Sequence, residues 1–201
     1  SSLSPILPSF PISSDTICVL ETPDTFFNTF LQNIKNANYR ICLSVLYLGK
    51  EEQEEHLLRA LDEALTNKPQ LYVHTLFDLY RCQRPNAAGI ASYYGLVELS
   101  MKHPGRICAG LFSPPALSSS DIEPSIENHQ NNSDLRERDG IIAKLGEFFR
   151  HLAREYTHGR AKELASVHHM KAYITDDTVI ISGANLSTIY FTNRQDRYIS
   201  F

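Results

Sequence analysis

His169 and Lys171 lie two positions apart in the run Val167 to Thr175, a stretch rich in apolar and aromatic residues that reads as a strand. A strand's period of two puts His169, Lys171, Tyr173 and Thr175 on one face and His168, Met170, Ala172 and Ile174 on the other. An imidazole and an ammonium on the same face can converge on one anion. The neutral imidazole attacks phosphorus and the lysine holds a phosphoryl oxygen as charge develops on it. His168 points away and reads as a packing or supporting residue. Asp176 has the opposite parity to His169 and falls, with Asp177, at the turn before a second strand over 178–182, where it fixes the hairpin or pairs with a neighbouring cation. Asn185 follows the small-residue bend Ser182-Gly183-Ala184, so its amide is placed to donate to a phosphate oxygen while the glycine lets backbone come close to a ligand.

A histidine and a lysine share a strand face in any HxK tripeptide, so the pair alone decides little. The whole set weighs more. His169-x-Lys171-x4-Asp176, with Asn185 soon after, resembles the HxKxxxxD signature of the phospholipase D superfamily, which cleaves phosphodiesters through a phosphohistidine without a metal. The asparagine arrives one position earlier than in most of that superfamily. The run "HHMKAYITDDTVIISGANLSTIYFTNRQDRY", with "VLYLG" near residue 45 and "LFDLYRCQR" near residue 80, looks like the N-terminal half of the eukaryotic phosphatidylglycerophosphate synthases. This resemblance runs in order from about residue 16 to 201 and is tightest over 169–198.

The resemblance implies an enzyme that transfers the phosphatidyl group of CDP-diacylglycerol to glycerol 3-phosphate and releases CMP, on the way to phosphatidylglycerol and cardiolipin. His169, Lys171 and Asp176 would be its catalytic set, Asp176 in support, with Lys171 and Asn185 holding the equatorial oxygens. It also implies no cofactor and metal-independent chemistry, with stimulation by divalent ions left open, and a peripheral place on an anionic membrane surface, the mitochondrial inner membrane. The acceptor is a dianion. Arg81 and Arg84, just past a strand end, and Arg194 and Arg197, after the motif, are its candidate partners, and each of the four also reads as an ordinary surface cation.

Superfamily chemistry needs a second HxK set to protonate the leaving group and deprotonate the acceptor. The chain holds none: His56, His74, His103, His129, His151, His158 and His168 all lack a lysine two positions on. Either two copies meet to form one site, or the second motif belongs to a further part of a longer chain, the option the resemblance favours. Two readings compete with the transferase: a single-motif phosphodiesterase or nuclease acting as a homodimer, and a non-catalytic half that binds lipid headgroups or a partner. The net charge of −4 gives no global basic field, which argues against nucleic acid as the partner.

The elements that must position this set alternate. Strands are expected over 15–21, 39–49, 70–78 and 106–112, with helices over about 23–37, 51–67 and 86–103 between them. Phe26, Phe27, Phe30, Leu31 and Ile34 form the apolar face of the first helix; Leu57, Leu58, Leu61 and Leu65 form that of the second. The expected fold is an α/β sandwich of the phospholipase D kind, a mixed, mainly parallel sheet flanked by helices. Residues 1–14 read as a Ser/Pro-rich leader and 15–201 as one domain. Residues 113–135 read as a polar, flexible insertion, and the stretch from Arg136 as a basic amphipathic helix whose apolar face suits either the sheet or a lipid surface. The longest apolar run, Ile41 to Leu48, is strand-sized, so membrane association is expected to be peripheral. Cys18, Cys42, Cys82 and Cys108 form no metal-ligand or disulfide pattern and are expected to be reduced core residues.

Overall fold

The computed structural model describes residues 10–84, 91–113 and 167–201. The first nine residues of the expected leader, the expected insertion beyond Ser113 and the basic stretch from Arg136 lie outside them.

Seven strands form one sheet in the order β1-β7-β6-β5-β2-β3-β4. They are β1 (Cys18–Leu20), β2 (Arg40–Ser44), β3 (Tyr72–Asp78), β4 (Ile107–Phe112), β5 (Ala172–Thr175), β6 (Thr178–Ser182) and β7 (Tyr198–Ser200). The sheet is mixed. β2, β3 and β4 pair in parallel, whereas β2–β5, β5–β6, β6–β7 and β1–β7 are antiparallel. Five of the seven strands still point one way, only β5 and β7 running against them; the parallel ladders are confined to the half of the sheet where helices make the crossovers.

Helix α1 (Pro23–Asn36) starts where Thr22 caps it by accepting the Thr25 N–H at 3.1 Å, with Pro23 at the first helical position. Its face of Phe26, Phe27, Phe30 and Ile34 is buried against the sheet. The Tyr173 ring of β5 lies 5.4 Å from Phe26 and 5.1 Å from Phe30, and Tyr198 of β7 stacks on Phe26 at 4.6 Å. Burying a side chain of this size contributes about 1.5–3 kcal/mol, so this cluster fixes the antiparallel half of the sheet against α1. Helix α2 (Glu52–Asn67) begins with a capping box between Glu51 and Glu54 and buries Leu57, Leu61 and Leu65 as expected, but it also buries Glu54. Three further helices complete the described chain: α3 (Leu79–Cys82), α4 (Tyr94–Lys102) and α5 (Thr188–Thr192).

Three expectations are corrected. The strand expected over 167–175 is only Ala172–Thr175, because its partner β2 ends at Ser44, opposite Ala172, and 167–171 is held by side-chain bonds instead. β7, α3 and α5 were not foreseen; each is too short to carry a period. The cysteines are all free, but only Cys82 is buried, its thiol pushed up to about 12 by burial; Cys18 and Cys108 are exposed. Among the described residues no helix is long and apolar enough to cross a membrane.

Candidate active site

The register of the sheet gathers the motif at one end. Ser44, last in β2, faces Ala172, first in β5, and Ala172 faces Ile181 near the end of β6. β3 runs parallel to β2, so Asp78 and the start of α3 come to the same end. Open α/β sheets bind ligands beyond the carboxyl ends of their strands, and here β2, β3 and β6 all present that end.

Asp78 is the hub. It is fully buried, and its two carboxylate oxygens accept different backbone donors, Arg81 N–H at 3.0 Å and His168 N–H at 3.0 Å. One carboxylate thus caps α3 and moors the residue before His169. His168 turns to the other side, its Nε2 2.8 Å from the Ser44 hydroxyl and its ring beside Phe112. Burial holds its pKa below the ordinary histidine value, with the neighbouring Lys171 and His169 adding to the shift and Asp78 opposing it.

His169 is exposed, and Lys171 beside it is buried. Lys171 is buried like Tyr173 and Thr175, but His169, expected on the same strand face, is exposed because the strand starts only at Ala172; the Lys171 Nζ donates to the His169 carbonyl at 2.8 Å. An ammonium has three donors, so two remain for other oxygens. Burial pushes this ammonium below the ordinary lysine pKa, and the Asp196 carboxylate works against that shift.

Asp196 was not foreseen. It follows Asn185 by eleven positions with no local pattern to mark it, and acts by supporting the bend, accepting Gly183 N–H at 3.0 Å and Arg197 N–H at 2.7 Å. A Cβ on Gly183 would stand 2.6 Å from its Oδ2, so this position needs a glycine for space. The Tyr173 hydroxyl donates to the Ala184 carbonyl and ties the bend to β5. Asn185, the next residue, is buried, and its Oδ1 has no hydrogen-bond partner. An orphaned buried amide oxygen costs about 1–3 kcal/mol until a donor reaches it, whereas a phosphate oxygen, itself an acceptor, takes the Nδ2 hydrogens of the same amide.

The chain beyond Asn185 is pinned by the buried Glu54, whose carboxylate accepts the Thr188 N–H at 2.5 Å, the Thr188 hydroxyl at 2.7 Å and the Glu51 N–H at 3.0 Å. The acidic start of α2 was visible in the sequence; that Glu54 is buried, closes a capping box with Glu51 and reaches across to α5 was not.

Asp176 sits at the far end of β5, in the β5–β6 turn, with a positive φ of 49° that aspartate tolerates. Its carboxylate accepts three consecutive backbone N–H groups, Asn38 at 2.6 Å and Tyr39 and Arg40 at 2.9 Å. Burial opposes its ionisation, but the bonds from Arg40, Asn38 and Tyr39 outweigh it and hold the pKa below the usual aspartate value. The geometry gives this residue the duty of tying the hairpin to the start of β2.

Of the four arginines, Arg81 is half-buried in α3, and the exposed Arg194 has its guanidinium 4.7 Å over the Tyr190 ring. Arg84 and Arg197 are exposed; Arg84 offers its carbonyl to Lys50, and Arg197 its N–H to Asp196.

No protein-family model matches the chain. Over all 201 residues it is 36% identical to a "CDP-diacylglycerol–glycerol-3-phosphate 3-phosphatidyltransferase" of Schizosaccharomyces pombe, covering 33% of that protein. Over 200 residues, 96% of the chain, it is 32% identical to the Gallus gallus protein of that name, called mitochondrial, and covers 30% of it. The chain therefore spans about a third of the length of these relatives, not the half expected. Among solved structures, the phosphatidylserine synthase of Haemophilus influenzae superposes with a TM-score of 0.64 at 22% identity, over 96% of this chain and 34% of that one. NucT of Helicobacter pylori superposes with a TM-score of 0.51 at 14% identity, over 92% and 82%. By its sequence the chain is thus similar throughout to about a third of proteins named CDP-diacylglycerol–glycerol-3-phosphate 3-phosphatidyltransferase, and its fold is that of the phosphatidylserine synthase and NucT structures.

Proposed function

We propose that this chain supplies one half of the active site of an enzyme that transfers a phosphatidyl group from CDP-diacylglycerol to glycerol 3-phosphate. The observation that carries the reading is a buried Lys171 bonded to the carbonyl of the exposed His169 at the start of β5, opposite the end of β6 that leads to Asn185, in a chain 36% identical throughout to a protein named for that reaction. The exposed His169 imidazole attacks the phosphatidyl phosphorus; a P–N bond forms and the P–O bond to CMP breaks. The acceptor's hydroxyl then attacks the same phosphorus, a P–O bond forms and the P–N bond breaks. Lys171 and Asn185 meet the charge on the equatorial oxygens in both steps, which assigns to side chains the work a metal performs elsewhere.

The proton given to CMP, and later taken from the acceptor hydroxyl, needs a second histidine. It comes from a second HxK set, in a further part of a longer chain or in a second copy. The setting we propose is peripheral, on an anionic inner mitochondrial membrane, in keeping with the mitochondrial names of the vertebrate relatives.

The test is to trap the intermediate. The complete enzyme, incubated with CDP-diacylglycerol labelled at the phosphatidyl phosphorus and quenched without acceptor, should carry an acid-labile, base-stable label on His169. A label that persists in His169→Ala sinks the assignment.

A further inference from the structure

An attacking imidazole must be held in line with phosphorus and the leaving oxygen, yet His169 lies where the sheet has stopped. The β2–β5 ladder ends at the pair Ser44–Ala172, and among the described residues no ladder reaches 167–171. We infer that His168 is a positioning residue for the nucleophile: fastened to the ends of three consecutive strands by Asp78, Ser44 and Phe112, it fixes the backbone from which the His169 imidazole reaches phosphorus. This rests on the phosphatidyl-transfer reading.

Each fastening comes from a different strand. Asp78 ends β3, and its Oδ2 accepts the His168 N–H at 3.0 Å. Ser44 ends β2, and its hydroxyl shares a hydrogen bond of 2.8 Å with His168 Nε2. Phe112 ends β4, directly opposite Asp78 in the register, and its ring centre lies 6.0 Å from that of His168. β2, β3 and β4 lie side by side in the sheet, so these anchors form one rim, and both the backbone and the ring of a single residue are held against it. Asp78 is itself fixed: it is fully buried, its N–H donates to the Leu46 carbonyl at 3.1 Å, and its other carboxylate oxygen accepts the Arg81 N–H at 3.0 Å.

On the other side of the nucleophile, Lys171 Nζ donates to the His169 carbonyl at 2.8 Å. His169 is thus held through its neighbour and its own carbonyl, while its side chain lies in an exposed position. The bond between Ser44 and the ring adds direction rather than much stability. A hydrogen bond between neutral groups has a small net value, but it sets a distance and an angle that packing against Phe112 alone leaves loose. Displacing a reacting atom by about 1 Å can cost about 10²-fold in rate, so the clip acts on the rate of attack more than on substrate binding.

The complete enzyme is prepared with His168→Ala, His168→Gln, Ser44→Ala and the double variant His168→Ala/Ser44→Ala. The single-turnover rate of CMP release and KM for CDP-diacylglycerol are measured for each, with urea midpoints as the check on folding. His168→Ala should lower the release rate about 10²-fold while KM changes by less than about twofold, and His168→Gln, whose amide can bond Ser44 as Nε2 does, should recover most of the loss. Ser44→Ala should lower the rate about fivefold alone, the value of one hydrogen bond, and add nothing to His168→Ala, because the two residues act as one clip. Wild-type release from a folded His168→Ala, a loss carried by KM instead of the rate, no recovery in His168→Gln, or an equal effect of Ser44→Ala in both backgrounds overturns the inference. If His168→Ala does not fold, Ser44→Ala decides, and undiminished release from it overturns the clip. The wild-type enzyme tests the reading beneath. If it releases no CMP from CDP-diacylglycerol, the transfer reading falls and the clip with it; if it and the variants release CMP alike, only the clip is wrong.

Discussion

Lys171 carries the sharpest consequence of the site. Its side chain is buried beside an exposed histidine, its pKa lowered by burial against the pull of Asp196, and the proposed reaction gives it the phosphoryl oxygens to hold. Lys171→Ala should lower the rate of CMP release about 10²- to 10³-fold, the cost of losing one preorganised donor, while the urea midpoint changes little. A variant that keeps a tenth of the activity contradicts this role. His168 answers to pH instead. Its folded-state pKa lies below the unfolded value of about 6.5, so the folded chain binds fewer protons there, and stability is complete above about pH 6.5 and declines as pH falls through that window toward the folded pKa. Denaturation midpoints at pH 7.5 and 5 should separate more in the wild type than in His168→Gln. At this scale the spacing of the sequence picked out His169, Lys171 and Asn185 as candidates, and the structure puts an exposed His169 beside a buried Lys171. Asp78 and Asp196 carried no such mark, because each acts through a partner remote in sequence, His168 lying 90 positions from Asp78.

Elements were legible in proportion to their length. The apolar faces of α1 and α2 repeat often enough to be read, and both helices lie where their residues put them. α5 has five residues and β7 three, and neither is held by its own pattern; α5 is held by Glu54 and β7 by pairing with β1 and β6. The dependence of α5 on Glu54 predicts a sensitive glycine. A Cβ on Gly49 would stand 2.0 Å from Glu54 Oε1 and 3.1 Å from Ser187 Cα. Gly49→Ala should therefore displace the start of α5 and with it Asn185, lowering CMP release by at least about tenfold and also reducing stability. If structure determination of the variant finds Thr188 still on Glu54, this coupling is wrong. Asp176 shows the opposite lesson: its place in the motif was plain, but the three backbone groups it gathers were not, since they belong to residues 38–40.

The molecule as a whole has one HxK set in 201 residues and a chemistry that calls for two. The chain alone, if monomeric in solution, should fold but release no CMP; adding a separately made chain with the second HxK set should restore release. Full activity from a monomer of this chain would show that the second histidine is not needed. The alternation of strands and helices foretold a mixed sheet, yet its strand order was beyond reach, because β5 inserts next to β2 from more than a hundred residues away.

That strand order also bears on how the protein is made. β2, β3 and β4 are neighbours in sequence as well as in the sheet and can associate while the ribosome is still at work, but β5 comes only after more than fifty further residues have been translated. β1, the first strand synthesised, has β7 as its neighbour and must wait until Ser200 has emerged before its ladder closes. Such separations slow folding, since the chain entropy of closing the loop is lost before the contacts return it. Until then the nascent chain carries an open strand edge of the kind that chaperones shield or that neighbouring polysomes capture, so the yield of this domain in a cell should depend on translation speed beyond Phe112 as much as on the stability of the finished fold.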